Sequence, residues 1–264
     1  MSGWAGLDRE LDAWGAAGAV ATLWWRDDDA VAATPALDRL LDIAMEAGAP
    51  LALAVIPAPA EPALAERLRR APRIAVLQHG YAHLNHAPAG AKKAEFGPDR
   101  APAAATAELA AGRDRLARLF DGGGTVPLPV LVPPWNRIAP AAVRALPGLG
   151  FAGLSVYRAR AAAAAAPGVV AVNAHADVID WRGDRGFVGE AAALRLIVDH
   201  LRARRRGAVD GREPTGLLTH HLVHDDDTWR FTTDLVRRVA EHPAARWLDA
   251  AAVFAPRHAA AAGP

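Results

Sequence analysis

Val20-Ala21-Thr22-Leu23-Trp24-Trp25-Arg26-Asp27-Asp28-Asp29 is an apolar run that ends in three consecutive carboxylates. An apolar run bounded by polar residues reads as a buried strand, here covering 20 to 26 with the acids at its tip. Adjacent carboxylates repel one another, and desolvating them is costly unless a positive group sits between them. A metal ion is the simplest such group. The chain offers nitrogen ligands for one further on, in His79-Gly80-Tyr81-Ala82-His83.

Working outward from this strand, the spacing of Leu7, Leu11 and Trp14 predicts an amphipathic helix over 3 to 16. Thr34-Pro35 is a helix start, a capping hydroxyl followed by proline at the first helical position. Strands are expected at 51–56, 74–78, 129–132, 153–156, 169–173 and 216–219. Helices are expected near 62–70, 103–120, 140–146, 189–206 and 228–240. Residues 80 to 102 form a long loop in which Lys93, Glu95 and Phe96 are candidates for a lid. Ala161 to Ala166 reads as a helical turn or mobile loop, 247 to 254 closes the domain, and 258 to 264 is a frayed tail. Strand and helix alternate about seven times, which implies a parallel sheet with helical crossovers, as a barrel or an open doubly wound sheet. No glycine fingerprint for phosphates opens a helix, which weighs against the open type. Asp27-Asp28-Asp29, His79, Pro133-Pro134-Trp135 and His220-His221 all follow expected strands, and a barrel brings such positions to one face. No internal boundary divides the 264 residues, so one domain is expected.

Bulk properties exclude several classes. The net charge of +1 gives no case for a nucleic-acid or membrane surface, and the run Arg202, Arg204, Arg205, Arg206 reads as decoration of a helix end. There is no cysteine, so disulfides and thiolate metal sites are ruled out. No stretch is apolar enough to span a membrane, and the N-terminus lacks the pattern of a secretory signal, so a cytoplasmic location is expected. Nothing in the sequence marks an oligomer interface.

An aspartate and two histidines suit a first-row divalent ion, zinc in the first place, with cobalt, nickel or manganese also suited. If the loop after the third strand makes one helical turn, His79 and His83 face the same way. A metal there would lower the pKa of bound water toward about 7 and polarise a carbonyl. A neighbouring carboxylate could take the proton from that water, and a histidine across the cleft could protonate the leaving group. Between His220 and His221, strand alternation sends one inward and one outward. Asp177 could cap a helix or face the pocket. His86 reads as exposed. His224 with Asp225-Asp226-Asp227 reads as a solvated loop capping the next helix.

In order, an Asp-Asp pair, His-x-x-x-His, Pro-Pro-aromatic, Asp-x-x-Asp-Trp and Leu-x-His resemble the motifs of the polysaccharide deacetylases, carbohydrate esterase family 4, over residues 20 to 225. The resemblance implies a distorted (β/α)7-8 barrel and removal of acetyl groups from sugars. It implies Asp27 as the general base and Asp28, His79 and His83 as metal ligands. His220, from Leu218-Thr219-His220, is implied as the general acid, supported by Asp180 and Trp181. Pro134, Trp135, Asn136 and His221 complete the candidate pocket. The chain departs from the family where Asp29 replaces the glycine after the acid pair, and where Val132 replaces the arginine before the prolines that orients the base. Arg26 or Arg137 could substitute for it. The function implied is metal-dependent removal of an acetyl or similar acyl group from an amide on a sugar or small metabolite. The alternatives are hydrolysis of a non-sugar amide and a catalytically silent carbohydrate- or metabolite-binding protein.

Overall fold

The opening apolar run becomes the middle of one large sheet. A computed structural model describes residues 3–122 and 124–255 of the chain; the expected tail at 258 to 264 lies outside them. The strands are β1 (Ala21–Ala30), β2 (Leu51–Val55), β3 (Ile74–His79), β4 (Val130–Val132), β5 (Gly153–Leu154), β6 (Ala164–Ala166), β7 (Val169–Ala171), β8 (Ala176–Asp177), β9 (Thr215–Thr219) and β10 (Ala245–Trp247). The helices are α1 (Trp4–Ala16), α2 (Pro35–Glu46), α3 (Pro62–Leu68), α4 (Pro102–Leu119), α5 (Pro140–Ala145), α6 (Glu190–Arg205), α7 (Asp226–Glu241) and α8 (Ala250–Val253). Sheet order is β6-β7-β5-β4-β3-β2-β1-β9-β8, with β10 added to the start of β1. Every pairing is parallel except β6 with β7.

The sheet curls into a distorted barrel, and the chain itself makes the seam. β7 and β8 lie near opposite ends of the strand order, yet only residues 172–175 separate them. Within that segment the Val172 and Ala174 amides donate to the carbonyls of Leu154 and Val156, beside β5. The next amide, of His175, donates to Gly216 in β9. Four residues thus pass from one flank of the sheet to the other.

Two apolar layers follow from strand alternation. Trp24, Ala52, Ala54, Leu77, Val130 and Val132 fill the barrel, with Val253 and Phe254 packed beneath Trp24. Leu23, Trp25, Leu51, Leu53 and Val55 face outward against the helices. Thr34 caps α2, its hydroxyl accepting from the Leu37 amide at 3.1 Å, with Pro35 at the first helical position. Asp225 caps α7, accepting from the Thr228 amide at 2.7 Å.

Several expectations are corrected. β1 runs on through the acids to Ala30, so the carboxylates are strand residues. Residues 164–166 form an antiparallel edge strand, because they fold back on β7. The basic run on α6 fastens the core: Arg204 is buried and donates to the Thr22 carbonyl at 2.7 Å and the Thr22 hydroxyl at 2.8 Å, while Arg205 pairs with Glu10 of α1 at 2.7 Å. No described helix is long and apolar enough to cross a membrane.

Candidate active site

The register of β1 decides which acid does what. Trp24 points into the barrel, so Arg26 and Asp28, two and four residues on, do so as well. Arg26 is fully buried above Trp24 and turns its guanidinium onto Asp28, with Nε 2.9 Å from Oδ1 and Nη2 3.0 Å from Oδ2. It also donates to the Ser155 hydroxyl at 2.6 Å and to Asn136 Oδ1 at 2.8 Å. Of the two arginines that could stand in for the one absent at position 132, Arg26 is thus the one that contacts an acid of the triplet.

Asp27 points the other way, behind the barrel wall. Its Oδ2 accepts from the Thr219 hydroxyl at 2.7 Å and the His221 amide at 3.0 Å, and its Oδ1 lies 2.5 Å from His221 Nδ1. Burial alone would raise the Asp27 carboxyl; the His221 charge and hydrogen bond outweigh it and hold it below the usual range. For His221, burial lowers the ring and the Asp27 charge raises it further, so the net shift is upward. The pair is a buried anchor. Neither Asp27 as base nor His221 as pocket wall is consistent with this placement, because strand alternation buries both on the far side of the sheet.

At Asp29 the strand breaks its own alternation. The pairing with β2 slips between Asp27 and Ala30, and Asp29 takes φ +72°. A non-glycine residue in that region is strained, and asparagine and aspartate tolerate it best. The slip lets two consecutive carboxylates, Asp28 and Asp29, line one cleft. Asp29 Oδ1 lies 3.0 Å from His79 Nε2 and 3.4 Å from His83 Nε2. The triad that the structure assembles is thus Asp29, His79 and His83, and the expected ligand Asp28 is instead engaged by Arg26.

The donor set fits a divalent cation. His79 Nδ1 sits 2.9 Å from the Val132 carbonyl, which accepts only if Nδ1 carries the proton. That leaves the Nε2 lone pair aimed at Asp29, the arrangement a metal-binding histidine adopts. Burial opposes charge on His79, but Asp28 and Asp29 raise it above its ordinary value; burial and the neighbouring His79 lower His83. The loop bringing His83 round is not the expected helical turn. Gly80 and His83 both take left-handed backbone, at φ +60° and +57°. Buried Glu95 accepts from the Tyr81 and Ala82 amides at 3.0 and 2.8 Å, fixing the turn. A Cβ on Gly80 would lie 2.0 Å from Glu95 Oε2. Glu95 and Phe96 are buried and form no lid; Lys93 alone of that trio is exposed. His86 is half-buried and does not line the cleft.

The opposite wall holds His220, Asp177 and Trp181. His220 Nδ1 lies 3.9 Å from Asp177 Oδ1, and the Trp181 ring meets the His220 ring edge-on at 4.7 Å. Asp177 Oδ2 accepts from Trp181 Nε1 at 2.8 Å, and burial pushes its carboxyl up. Asp177, whose role the sequence left open, is thus the carboxylate beside His220. Asp180 lies off the cleft, accepting from the Arg182 and Gly183 amides at 3.1 and 3.0 Å in its own turn. The rim of the cleft, about 230 Å³ in volume, is completed by Trp135, Asn136 and Arg137. Trp135 and Asn136 are both left-handed, at φ +55°, and the Trp135 ring packs on His83 at 4.4 Å. Pro134 is buried behind them, off the lining.

A second buried group, His175, His200 and Glu213, lies at the other end of β9. There the Gly216 amide donates to His175 Nδ1 at 2.9 Å, so the ring proton resides on Nε2, 3.4 Å from Glu213. Nε2 thus has no lone pair for an ion, and the group reads as packed core.

The fold has counterparts among solved structures. The chain has the distorted-barrel fold of the polysaccharide deacetylases of carbohydrate esterase family 4. It is similar in structure to a Mycobacterium smegmatis protein described as a polysaccharide deacetylase, with a TM-score of 0.58, 16% identity and 90% of each chain covered. A Streptococcus mutans esterase of the same family gives 0.55 at 12% identity, over 90% of this chain and 87% of that one. A peptidoglycan N-acetylglucosamine deacetylase gives 0.54 at 14% identity, over 92% and 96%. No protein-family model and no curated protein sequence matches the chain.

Proposed function

We propose that this protein is a metal-dependent hydrolase that removes an acetyl or similar acyl group from an amide nitrogen on a sugar or small metabolite. The observation that carries the reading is one cleft lined by the Asp29–His79–His83 triad, the Arg26-paired Asp28, and His220 beside Asp177. A divalent ion held by Asp29, His79 and His83, zinc or a similar metal, would supply polarisation of the acyl carbonyl and acidification of water.

The chain's own residues account for the proton transfers. Asp28, paired with Arg26, has lone pairs left on both oxygens and takes the proton from the attacking water. The new bond joins the water oxygen to the acyl carbon, and the C–N bond breaks. His220, with Nδ1 toward Asp177, presents Nε2 to the cleft and gives its proton to the departing nitrogen. Asp177 lies 3.9 Å from Nδ1 of that ring, and Trp181 packs against it edge-on. The products are a carboxylate and an amine. Trp135 and Trp181 supply apolar walls suited to a sugar ring.

The test pairs Asp28→Asn with elemental analysis. Loss of hydrolysis with metal content unchanged supports the assignment, whereas unchanged turnover removes Asp28 from the reaction. N-acetylglucosamine oligomers set beside a panel of small amides separate a sugar substrate from a non-sugar one. A silent binding protein would need neither the Asp28–Arg26 pair nor the His220–Asp177 pair. It would bind sugar without turning over any member of the panel.

A further inference from the structure

The acids lining the cleft each have a partner, whereas its rim cation has no acidic one. Asp28 is met by Arg26, Asp29 by His79 and His83, and Asp177 by the Trp181 and Ile179 N–H groups with His220 nearby. Arg137, exposed at the rim, has no carboxylate within 4.0 Å among the described residues. Its polar contact is to a backbone oxygen: Nη1 donates to the Lys93 carbonyl at 2.8 Å. That bond leaves the Nη2 edge of the guanidinium free. Lys93 in turn places its ammonium 6.0 Å from the Trp135 ring centroid, also without an acidic partner among the described residues. Two cations without acidic partners among the described residues thus meet at this edge, with Lys93 over the Trp135 ring that packs on the candidate metal ligand His83. Arg137 directly follows two consecutive left-handed residues, Trp135 and Asn136, a strain of the sort retained at ligand-contacting positions.

We infer that the Arg137–Lys93 rim is an oxyanion subsite, and that the sugar or small metabolite carrying the acylated nitrogen also bears a carboxylate or phosphate. This rests on the hydrolase reading above and narrows its substrate class. A guanidinium fork suits a planar carboxylate or a phosphate, and an ammonium adds a point charge. At an exposed rim solvent and salt weaken such a contact, but it still favours an anion over the matched neutral analogue.

The experiment compares N-acetylglucosamine with two matched anions, N-acetylmuramic acid and N-acetylglucosamine 6-phosphate, on the metal-loaded protein. The expected kcat/KM is at least tenfold higher for one of the anions, and which one identifies the oxyanion. Arg137→Met brings that ratio to near one, Lys93→Met reduces it, and Arg137→Lys retains part of it. Added salt narrows the preference in the wild type. Equal kcat/KM for all three sugars, or an Arg137→Met effect shared equally by all three, overturns the inference. Calorimetric binding of glucosamine, muramic acid and glucosamine 6-phosphate, which have no acyl group to lose, keeps the two readings apart. Tighter, Arg137-dependent binding of an anion without turnover of any acetamide upholds the subsite and overturns the hydrolase. Turnover with no anion preference does the reverse.

Discussion

Arg26 and Asp28 stand two residues apart on one strand, and the guanidinium of the first reaches both carboxylate oxygens of the second inside the barrel. The pair is almost wholly inaccessible, at 0% and 2% side-chain exposure. Removing one member of such a pair leaves an uncompensated buried charge, at a cost of about 3–5 kcal/mol. Arg26→Met is expected to lower the free energy of unfolding by that amount. Arg26→Lys keeps the charge but not the two-point contact; its kcat is expected to fall at least tenfold with metal content preserved. Denaturant titration and elemental analysis on the same preparations check both.

The register of the acid triplet makes its own prediction. Asp29→Ala, His79→Ala and His83→Ala each lower metal content, while Asp28→Asn and Asp27→Asn retain it. Metal-to-protein ratios after loading with zinc and desalting decide the matter. Loss of metal in Asp28→Asn but not in Asp29→Ala would return the ligand role to Asp28.

Asp27 is expected to matter for stability. Asp27→Ala deprives the His221 ring, the His221 amide and the Thr219 hydroxyl of their acceptor, all of them buried. The loss is expected to be about 3 kcal/mol or more. It is read as a shift in denaturation midpoint, with residual hydrolysis by the folded fraction.

Acid sensitivity should come from the far end of the barrel. Burial lowers the His200 ring from 6.5 to about 2, with the charges of His175 and Arg204 adding to it, and burial likewise lowers His175. A histidine with a depressed folded pKa takes up its proton only on unfolding, so stability falls as pH drops below 6.5. The slope approaches about 1.4 kcal/mol per pH unit for each such ring. His200→Phe is expected to flatten the loss between pH 6.5 and 4.5 by about one ring's share. Denaturant unfolding at several pH values measures it.

Much of the cleft was legible in the chain. His79 and His83 stand at the end of an apolar run, His220 follows another, and strand–helix alternation indicated the barrel face that unites them. The role of each acid was not legible, because Leu23, Trp24 and Trp25 are all apolar and nothing in them says which faces inward. Once Trp24 is known to fill the barrel, parity carries Arg26 and Asp28 inward and Asp27 out. A left-handed Asp29 was beyond sequence pattern, although small Ala30 after Asp28-Asp29 suits the place of the family's glycine better than Asp29 does. Asp177 was visible in Asp-x-x-Asp-Trp, but its choice over Asp180 depends on a turn in which Asp180 satisfies its own neighbours. The helical turn at 80 to 83 on which a common facing of His79 and His83 was conditional does not form, because the acceptor that shapes the loop, Glu95, lies well over ten residues downstream.

The four-residue passage from β7 to β8 has a consequence for how the protein comes into being. The metal triad is built from residues before position 84, whereas the wall carrying Asp177 and His220 lies beyond the seam at 172–175. Trp24 is tied to Asn173 and Asp27 to Thr219 across 149 and 192 residues of chain. Contacts so distant in sequence form late. During synthesis Asp29, His79 and His83 therefore emerge well before Asp177 and His220, and the cleft gains its second wall only when the chain beyond the seam has joined β9 to β1.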